Sequence, residues 1–590
     1  MRYFPLLLCA LATSAFAPAQ SQRDDLTPLV IAYTTTVSQD KKSLEIEVVV
    51  ENLARPTLHL AMPNWTPGAY GIRRFGERVG DLRVVGAGGR ALAVTQMDFQ
   101  TWSIDTSGVS RIQASYRVPA SSGWRGQDPD ADSEITGVRI NGPSTYVYVP
   151  GAKGLPVTSR YRLPKGWKVA NGLLPTADPM VRRAKDYDTF IDAPGILGIY
   201  QERSFSVNGT DFRCVYFENA QEYDFDLDAF TAIVEEIVVN QGQLFGSFPF
   251  ADYWFLFHIP GGGGLEHLNS TSIGLSADAQ RRDPEAGASV TSHEFFHAWN
   301  VKRIRPVTLG PFEYQHENYT GNLWVSEGWT SYFGELTLVR TGILTPDEYL
   351  AHLAGVISRE QSKVRRKEHS VYWASRSGWH RDQPDETEPR VDYYGKGEML
   401  GALIDLKMRH ETGNRVSLND FMRFCNRWFA ERGVGFEEGD VERACTAISN
   451  YDFGEFFARH VLGTMDPPLA ECFAYAGVDY TQEVIPCGFP FSLRGSRVGG
   501  RRGQEPAEGM PKPGEQILAV DGVDWTDANG VLRRHQPGDE VLLRLKDGDE
   551  ERELAVTLAA KETVIASLKF RQNPSLEQLA IREAWLASVE

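Results

Sequence analysis

Strict alternation of apolar and polar positions marks the first third of the chain. Ser43-Leu44-Glu45-Ile46-Glu47-Val48-Val49-Val50 and Ser144-Thr145-Tyr146-Val147-Tyr148-Val149 follow the two-residue period of a strand, with Gly, Pro and Asn turns between such runs. Many short strands without helical spacing between them predict a β-sandwich-like domain over residues 20–205. The period then lengthens. Residues 226–243 (DLDAFTAIVEEIVVNQGQ) carry an apolar stripe behind Asp226 or Asp228 as N-cap, and helical spacing recurs over 286–300, 324–339, 346–359, 397–409 and 418–430. These predict a mostly helical middle domain over 206–484. Short strands return after Cys487 around the turns Pro513-Gly514, Asp521-Gly522 and Pro537-Gly538, over about 485–563. The closing residues 564–590 hold an amphipathic helical pattern with Leu576, Leu579, Ile581 and Trp585.

Composition adds limits. A chain of 590 residues exceeds one domain at roughly 150 residues each. With 42% hydrophobic and 24% charged residues it can bury several cores, which excludes disorder as the dominant state. The net charge, 61 − 78 = −17, argues against general nucleic-acid binding, because a polyanion meets a repulsive field. Arg2, the apolar run 4–12 and Ala17-Pro18-Ala19 predict a secretory signal over 1–19 and an exported product, periplasmic or secreted. No other run approaches the roughly 18 apolar residues of a spanning helix, so no membrane span is predicted in the mature chain. Export would permit disulfides. Cys425 with Cys445 and Cys472 with Cys487 are the nearest pairs, and buried free thiols are the alternative.

The chemistry concentrates in His293-Glu294-Phe295-Phe296-His297. At about 100° per residue the two histidines stand about 40° apart on a helix, so both imidazoles reach one metal ion, and Glu294 is offset beside it as a base. A catalytic zinc needs a third protein ligand and an open position. Glu327, in the aromatic segment Trp324-Val325-Ser326-Glu327-Gly328-Trp329, is a candidate, and Glu313, Glu317 and Glu335 compete with it on spacing alone. Gly261-Gly262-Gly263-Gly264 before Leu265-Glu266-His267 suits either a flexible loop or a backbone that approaches an extended peptide closely.

HExxH followed by a W-x-x-E-G helix resembles the gluzincin metallopeptidases, which implies zinc held by His293, His297 and Glu327. The longer text 293–306 (HEFFHAWNVKRIRP), residues 324–336 and the Gly-rich Leu-Glu-His are similar to the glycyl aminopeptidase family. That resemblance covers most of the mature chain, including Asn64-Trp65-Thr66-Pro67-Gly68-Ala69-Tyr70. It implies an N-terminal all-β domain, a mostly α, thermolysin-like catalytic domain and a C-terminal PDZ-like α+β domain. Gly263, Gly264 and Glu266 would then hold the substrate, with Glu266 facing its α-ammonium group. Tyr394 in Tyr394-Gly395-Lys396-Gly397 would donate to the oxyanion, although Tyr393 lies one residue away. The implied substrates are peptides with a free N-terminus and a small first residue, Gly or Ala. In the PDZ-like stretch Pro490 lacks an N–H where peptide capture needs donors, so contact with its own catalytic domain or with substrate is expected there. The alternatives are a gluzincin endopeptidase, or a PDZ-containing scaffold with an inactive peptidase domain.

Overall fold

The computed structural model describes residues 29–120, 135–218, 223–380, 390–500 and 506–588, so the expected signal segment lies outside the described residues. In the N-terminal region the alternation at 43–50 becomes sheet. Residues 144–149, by contrast, are not a strand: after the 3-10 turn Gly142–Ser144 they run as buried irregular backbone, with Tyr148 bridged to Ala61. Seven strands lie in the order Leu174–Pro175, Val181–Ala184, Val157–Arg162, Val30–Val37, Ser43–Glu51, Arg111–Pro119 and Gly80–Val85. Leu44, Ile46, Val48 and Val50 of one central strand point inward while the residues between them face out. Val48 stands opposite Tyr33 on one side and Ala114 on the other. Two three-stranded sheets complete this all-β region.

The middle region is helical as expected, but it opens with a five-stranded mixed sheet that the periodicity did not reveal. Its central strand, Asp252–Ile259, runs parallel to both neighbours, Thr210–Glu218 and Ser270–Gly274. A strand covered on both faces reads as a nearly unbroken apolar run (DYWFLFHI) and shows no alternation. The helix Leu227–Phe245, capped by the Asp226 side chain, packs on the helix Ala288–Phe296. At the sheet's edge the three-residue strand Gly264–Glu266 pairs only with Ser270–Gly274 among the described strands, and it lies against that same helix. Helices follow at Thr330–Thr341, Pro346–Gln361, Tyr393–Glu411 and Leu418–Cys425. Asp440–Ser449, Gly454–His460 and Leu469–Tyr475 are further helices that the periodicity did not single out.

The C-terminal region is β-rich and leaves from a two-stranded stem. Val478–Ile485 pairs antiparallel with Thr563–Phe570, and the strands between them form a separate sheet around Cys487, Ile517, Val541, Leu543 and Val556. Gly488 and Ala559 exchange backbone hydrogen bonds at the base of that unit. The helix Leu576–Leu586 then returns to the catalytic core. There Trp585 Nε1 donates to the Tyr332 hydroxyl at 2.9 Å, and that hydroxyl donates to Asp405 at 2.6 Å. All five cysteines of the described chain are buried free thiols, and Cys472 and Cys487 sit in different cores. Among the described residues no helix is long and apolar enough to cross a membrane.

Candidate active site

The helix Ala288–Phe296 presents His293 and Glu294, and His297 caps its C-terminal end while keeping helical backbone angles. Their Nε2 atoms lie 3.0 Å apart. His297 Nδ1 donates to the Asn300 carbonyl at 2.6 Å, which fixes the tautomer whose Nε2 carries a lone pair toward His293. Two lone pairs so close need a positive charge between them.

Glu327 supplies the third group. Its Oε2 lies 3.3 Å from His297 Nε2 and 3.6 Å from His293 Nε2, and its Oε1 is buried without a hydrogen-bond partner. His297 and Glu327 are 1% and 2% exposed, so these groups converge away from solvent. Two metal–nitrogen bonds of about 2.1 Å at a tetrahedral angle place the nitrogens roughly 3.4 Å apart, within a few tenths of an ångström of the 3.0 Å found. The N,N,O donor set and its geometry therefore fit zinc. Two competitors are engaged elsewhere: Glu335 accepts from Ser289, one helical turn before His293, and Glu313 is exposed and accepts from the Gln315 N–H.

Glu327 sits in a π-helical turn, Trp324–Trp329, whose widened hydrogen-bond pattern is supported from outside. Asn300 Nδ2 donates to the carbonyls of Val325 and Ser326 at 2.8 and 3.3 Å. Asn300 thus orients His297 through its backbone and the turn of Glu327 through its side chain. Across this turn lies the helix Tyr393–Glu411. A Cβ on Gly328 would fall 2.4 Å from Gly397 Cα, and one on Gly397 would fall 2.3 Å from the Trp324 carbonyl. Only paired glycines permit that approach. It brings Tyr394 to the site, its ring 6.1 Å from that of His293, whereas Tyr393 stacks beneath and belongs to the buried core.

Glu266 enters from the opposite wall. Its carboxylate, Glu294 and His297 offer ligand atoms within 4.8 Å of one another. A Cβ on Gly264 would fall 2.4 Å from Glu294 Oε1, so the edge strand passes directly over Glu294. Gly263 takes a positive φ of 71° at the entry to this strand.

The N-terminal domain contributes a further wall that the sequence reading did not assign to the site. Gly68 has φ +90°, and a Cβ there would meet both Glu266 carboxylate oxygens at 2.6 Å. Tyr70 lies buried beside Trp379, with ring centroids 5.8 Å apart. Burial, and then the nearby Glu327 and Glu266, hold the Tyr70 phenol well above its ordinary pKa. The motif spanning 64–70 was visible in the sequence, but its position against Glu266 depends on a contact across some 200 residues.

Electrostatics describe a site that calls for cations. Burial alone would pull the His297 imidazole down, yet Glu327, Glu266 and Glu294 outweigh it and push it up to about 9. Burial would raise Glu327, but His297 and His293 hold it down at about 2. Burial dominates at His293, which is lowered.

Comparison with known proteins agrees with this geometry. The M61 glycyl aminopeptidase family model matches residues 286–400, and the peptidase M61 N-terminal domain model matches 33–199. The fold is similar to a crystal structure of an aminopeptidase N family protein from Idiomarina loihiensis, at 24% identity and TM-score 0.77, covering 95% of this chain and all of that one. An M1 zinc metallopeptidase from Deinococcus radiodurans is a more distant neighbour, at 14% identity and TM-score 0.48, covering 75% of this chain and 94% of its own. No curated protein matches significantly.

Proposed function

Because the chain belongs to the M61 glycyl aminopeptidase family, and is thereby a zinc aminopeptidase, we propose that it removes small residues, Gly or Ala, from the free N-termini of peptides. One observation carries the reading. Glu266, Glu294 and Glu327 bring three formal negative charges to within 4.8 Å of His297, in a pocket where unpaired charge is costly. A dication offsets two of them, and the α-ammonium of a free N-terminus offsets the third.

In this reading Glu266 pairs with the α-ammonium and fixes the first residue in the cleft. Gly263 and Gly264 expose an edge backbone along which an extended peptide hydrogen-bonds. Zinc, held by His293, His297 and Glu327, supplies the polarisation of the scissile carbonyl and the acidification of water to a pKa of roughly 7. Glu294 accepts the proton of the attacking water and returns it to the leaving amine nitrogen. The Tyr394 hydroxyl donates to the developing oxyanion. Gly68 packs against the Glu266 carboxylate, Tyr70 lies near it and Trp379 packs on Tyr70, which supports a site that ends after one small residue.

The pattern over residues 1–19 supports an exported enzyme, and the β-rich unit after Cys487 fits a PDZ-like module that contacts substrate or its own catalytic domain. The reading is tested by hydrolysis of glycine and N-acetylglycine anilides with and without a chelator. Chelator-sensitive cleavage confined to the free amine is expected. Equal cleavage of the acetylated compound would favour an endopeptidase.

A further inference from the structure

Three buried polar side chains that the hydrolytic steps do not use meet just beyond Glu266. Asp192 follows the short helix Tyr187–Ile191 of the N-terminal domain. Its Oδ1 accepts from Lys302 Nζ at 2.8 Å and from His267 Nδ1 at 3.2 Å, and its Oδ2 accepts from the Leu268 backbone N–H at 2.7 Å. Asp192, Lys302 and His267 are 7%, 5% and 3% exposed. A buried ion pair offers little stability over a packed apolar contact, so its geometry is the more informative property. Burial would raise the Asp192 carboxyl, but Lys302 and His267 outweigh it and keep it below the ordinary range.

The donors come from two different parts of the site. His267 and Leu268 follow the anchor Glu266. Lys302 belongs to the loop after the ligand His297, and its own N–H donates to the His297 carbonyl at 3.2 Å. Arg303 makes the same link within the catalytic domain, with Nη1 donating to the Leu268 carbonyl at 2.7 Å and the Ala298 carbonyl at 2.6 Å. Residues 267–268 and 297–303 are thus tied from two sides, once by Arg303 and once by a carboxylate that only the N-terminal domain supplies.

We propose that Asp192 is a positioning residue, through which the docked N-terminal domain sets the separation between Glu266 and His297 and so the affinity for the free amine. This rests on the aminopeptidase reading, and the experiment separates the two. Asp192→Asn, the double variant Asp192→Asn/Lys302→Met and Glu266→Gln are compared for kcat and KM on glycine anilide, zinc content and thermal midpoint. Asparagine offers one acceptor where donors converge on two oxygens, and it leaves Lys302 buried without a counter-ion. The single variant should therefore melt earlier, and the double variant, which removes both charges, should recover.

Both Asp192 variants should nevertheless raise KM about tenfold, with kcat changed by less than about threefold and zinc retained, the pattern of lost substrate binding. The double variant reports even where the single one fails to fold. A double variant with wild-type KM would reduce the pair to a structural contact and overturn the proposal, as would loss of zinc or kcat at unchanged KM. Raised KM in Glu266→Gln with normal KM in the double variant sinks only the role of Asp192. Normal KM in Glu266→Gln sinks the aminopeptidase reading and this proposal together.

Discussion

Replacing Gly397 by Ala adds one methyl where the helix Tyr393–Glu411 crosses the turn of Glu327. That Cβ would fall 2.3 Å from the Trp324 carbonyl oxygen and 2.9 Å from Gly328 Cα, both of them backbone atoms that no rotamer change can move. A carbon–oxygen contact relaxes at roughly 3.3 Å, so the two elements must part by about 1 Å. Overpacking of this kind costs about 1–3 kcal/mol, which leaves the protein folded. The catalytic cost is larger. Tyr394 lies three residues before Gly397 and Glu327 lies one before Gly328, so the shift falls between a proposed oxyanion donor and a proposed ligand. A misplacement of about 1 Å at reacting groups costs on the order of 100-fold. The assay is kcat on glycine anilide, beside zinc content and thermal melting. We expect a folded, zinc-loaded enzyme with kcat lowered about 100-fold. A kcat within about threefold of wild type would refute the idea that this crossing sets the site.

The roles of the metal-site residues separate under metal analysis. Ala at His293, His297 or Glu327 should strip zinc, whereas Glu294→Gln should keep zinc and abolish hydrolysis, because a base is not a ligand. Tyr394→Phe should lower kcat by about 100- to 1000-fold with zinc unchanged, while the buried Tyr393→Phe should lower stability more than turnover. Away from the site, His352 Nε2 and Glu398 Oε1 lie 2.7 Å apart. Burial pulls the imidazole down, but the bond to Glu398 outweighs it and raises its pKa. A raised folded pKa contributes stability that is fully present below the unfolded value of roughly 6.5 and is lost as pH climbs through the folded one. Glu398→Gln should therefore lower the melting temperature at pH 6 more than at pH 9, and an equal loss at both would remove the ion pair from the account.

The parts of the site that are local in sequence were legible, and those built by long-range contact were not. His293, Glu294 and His297 could be read because helical spacing alone places them on one side of one helix. Glu327 could be preferred over Glu313, Glu317 and Glu335 only through family resemblance; what selects it physically is the π-helical turn, and that turn depends on Asn300. The Gly-rich run left loop and strand undecided, and it contains both: residues 261–263 are irregular, and Gly264–Glu266 is an edge strand. Alternation revealed the seven-stranded N-terminal sheet because its strands have a wet and a dry face, but it misled at 144–149, whose side chains are all buried and form no strand. The central sheet of the middle region escaped because its core strand has no wet face. Gly68, Tyr70 and Asp192 reach the cleft from a domain whose own pattern says nothing of hydrolysis.

The central claim is that the cleft recognises a free α-ammonium through Glu266, and kcat/KM for glycine and N-acetylglycine anilides in wild type and Glu266→Gln tests it most directly. Neutralising one partner of a charge-assisted pair removes about 2 kcal/mol, so Glu266→Gln should lose roughly tenfold or more on the free amine. The acetylated compound should be a poor substrate of both enzymes and indifferent to the substitution. Efficient cleavage of the acetylated compound by wild type, with Glu266→Gln unchanged on either substrate, would contradict the account.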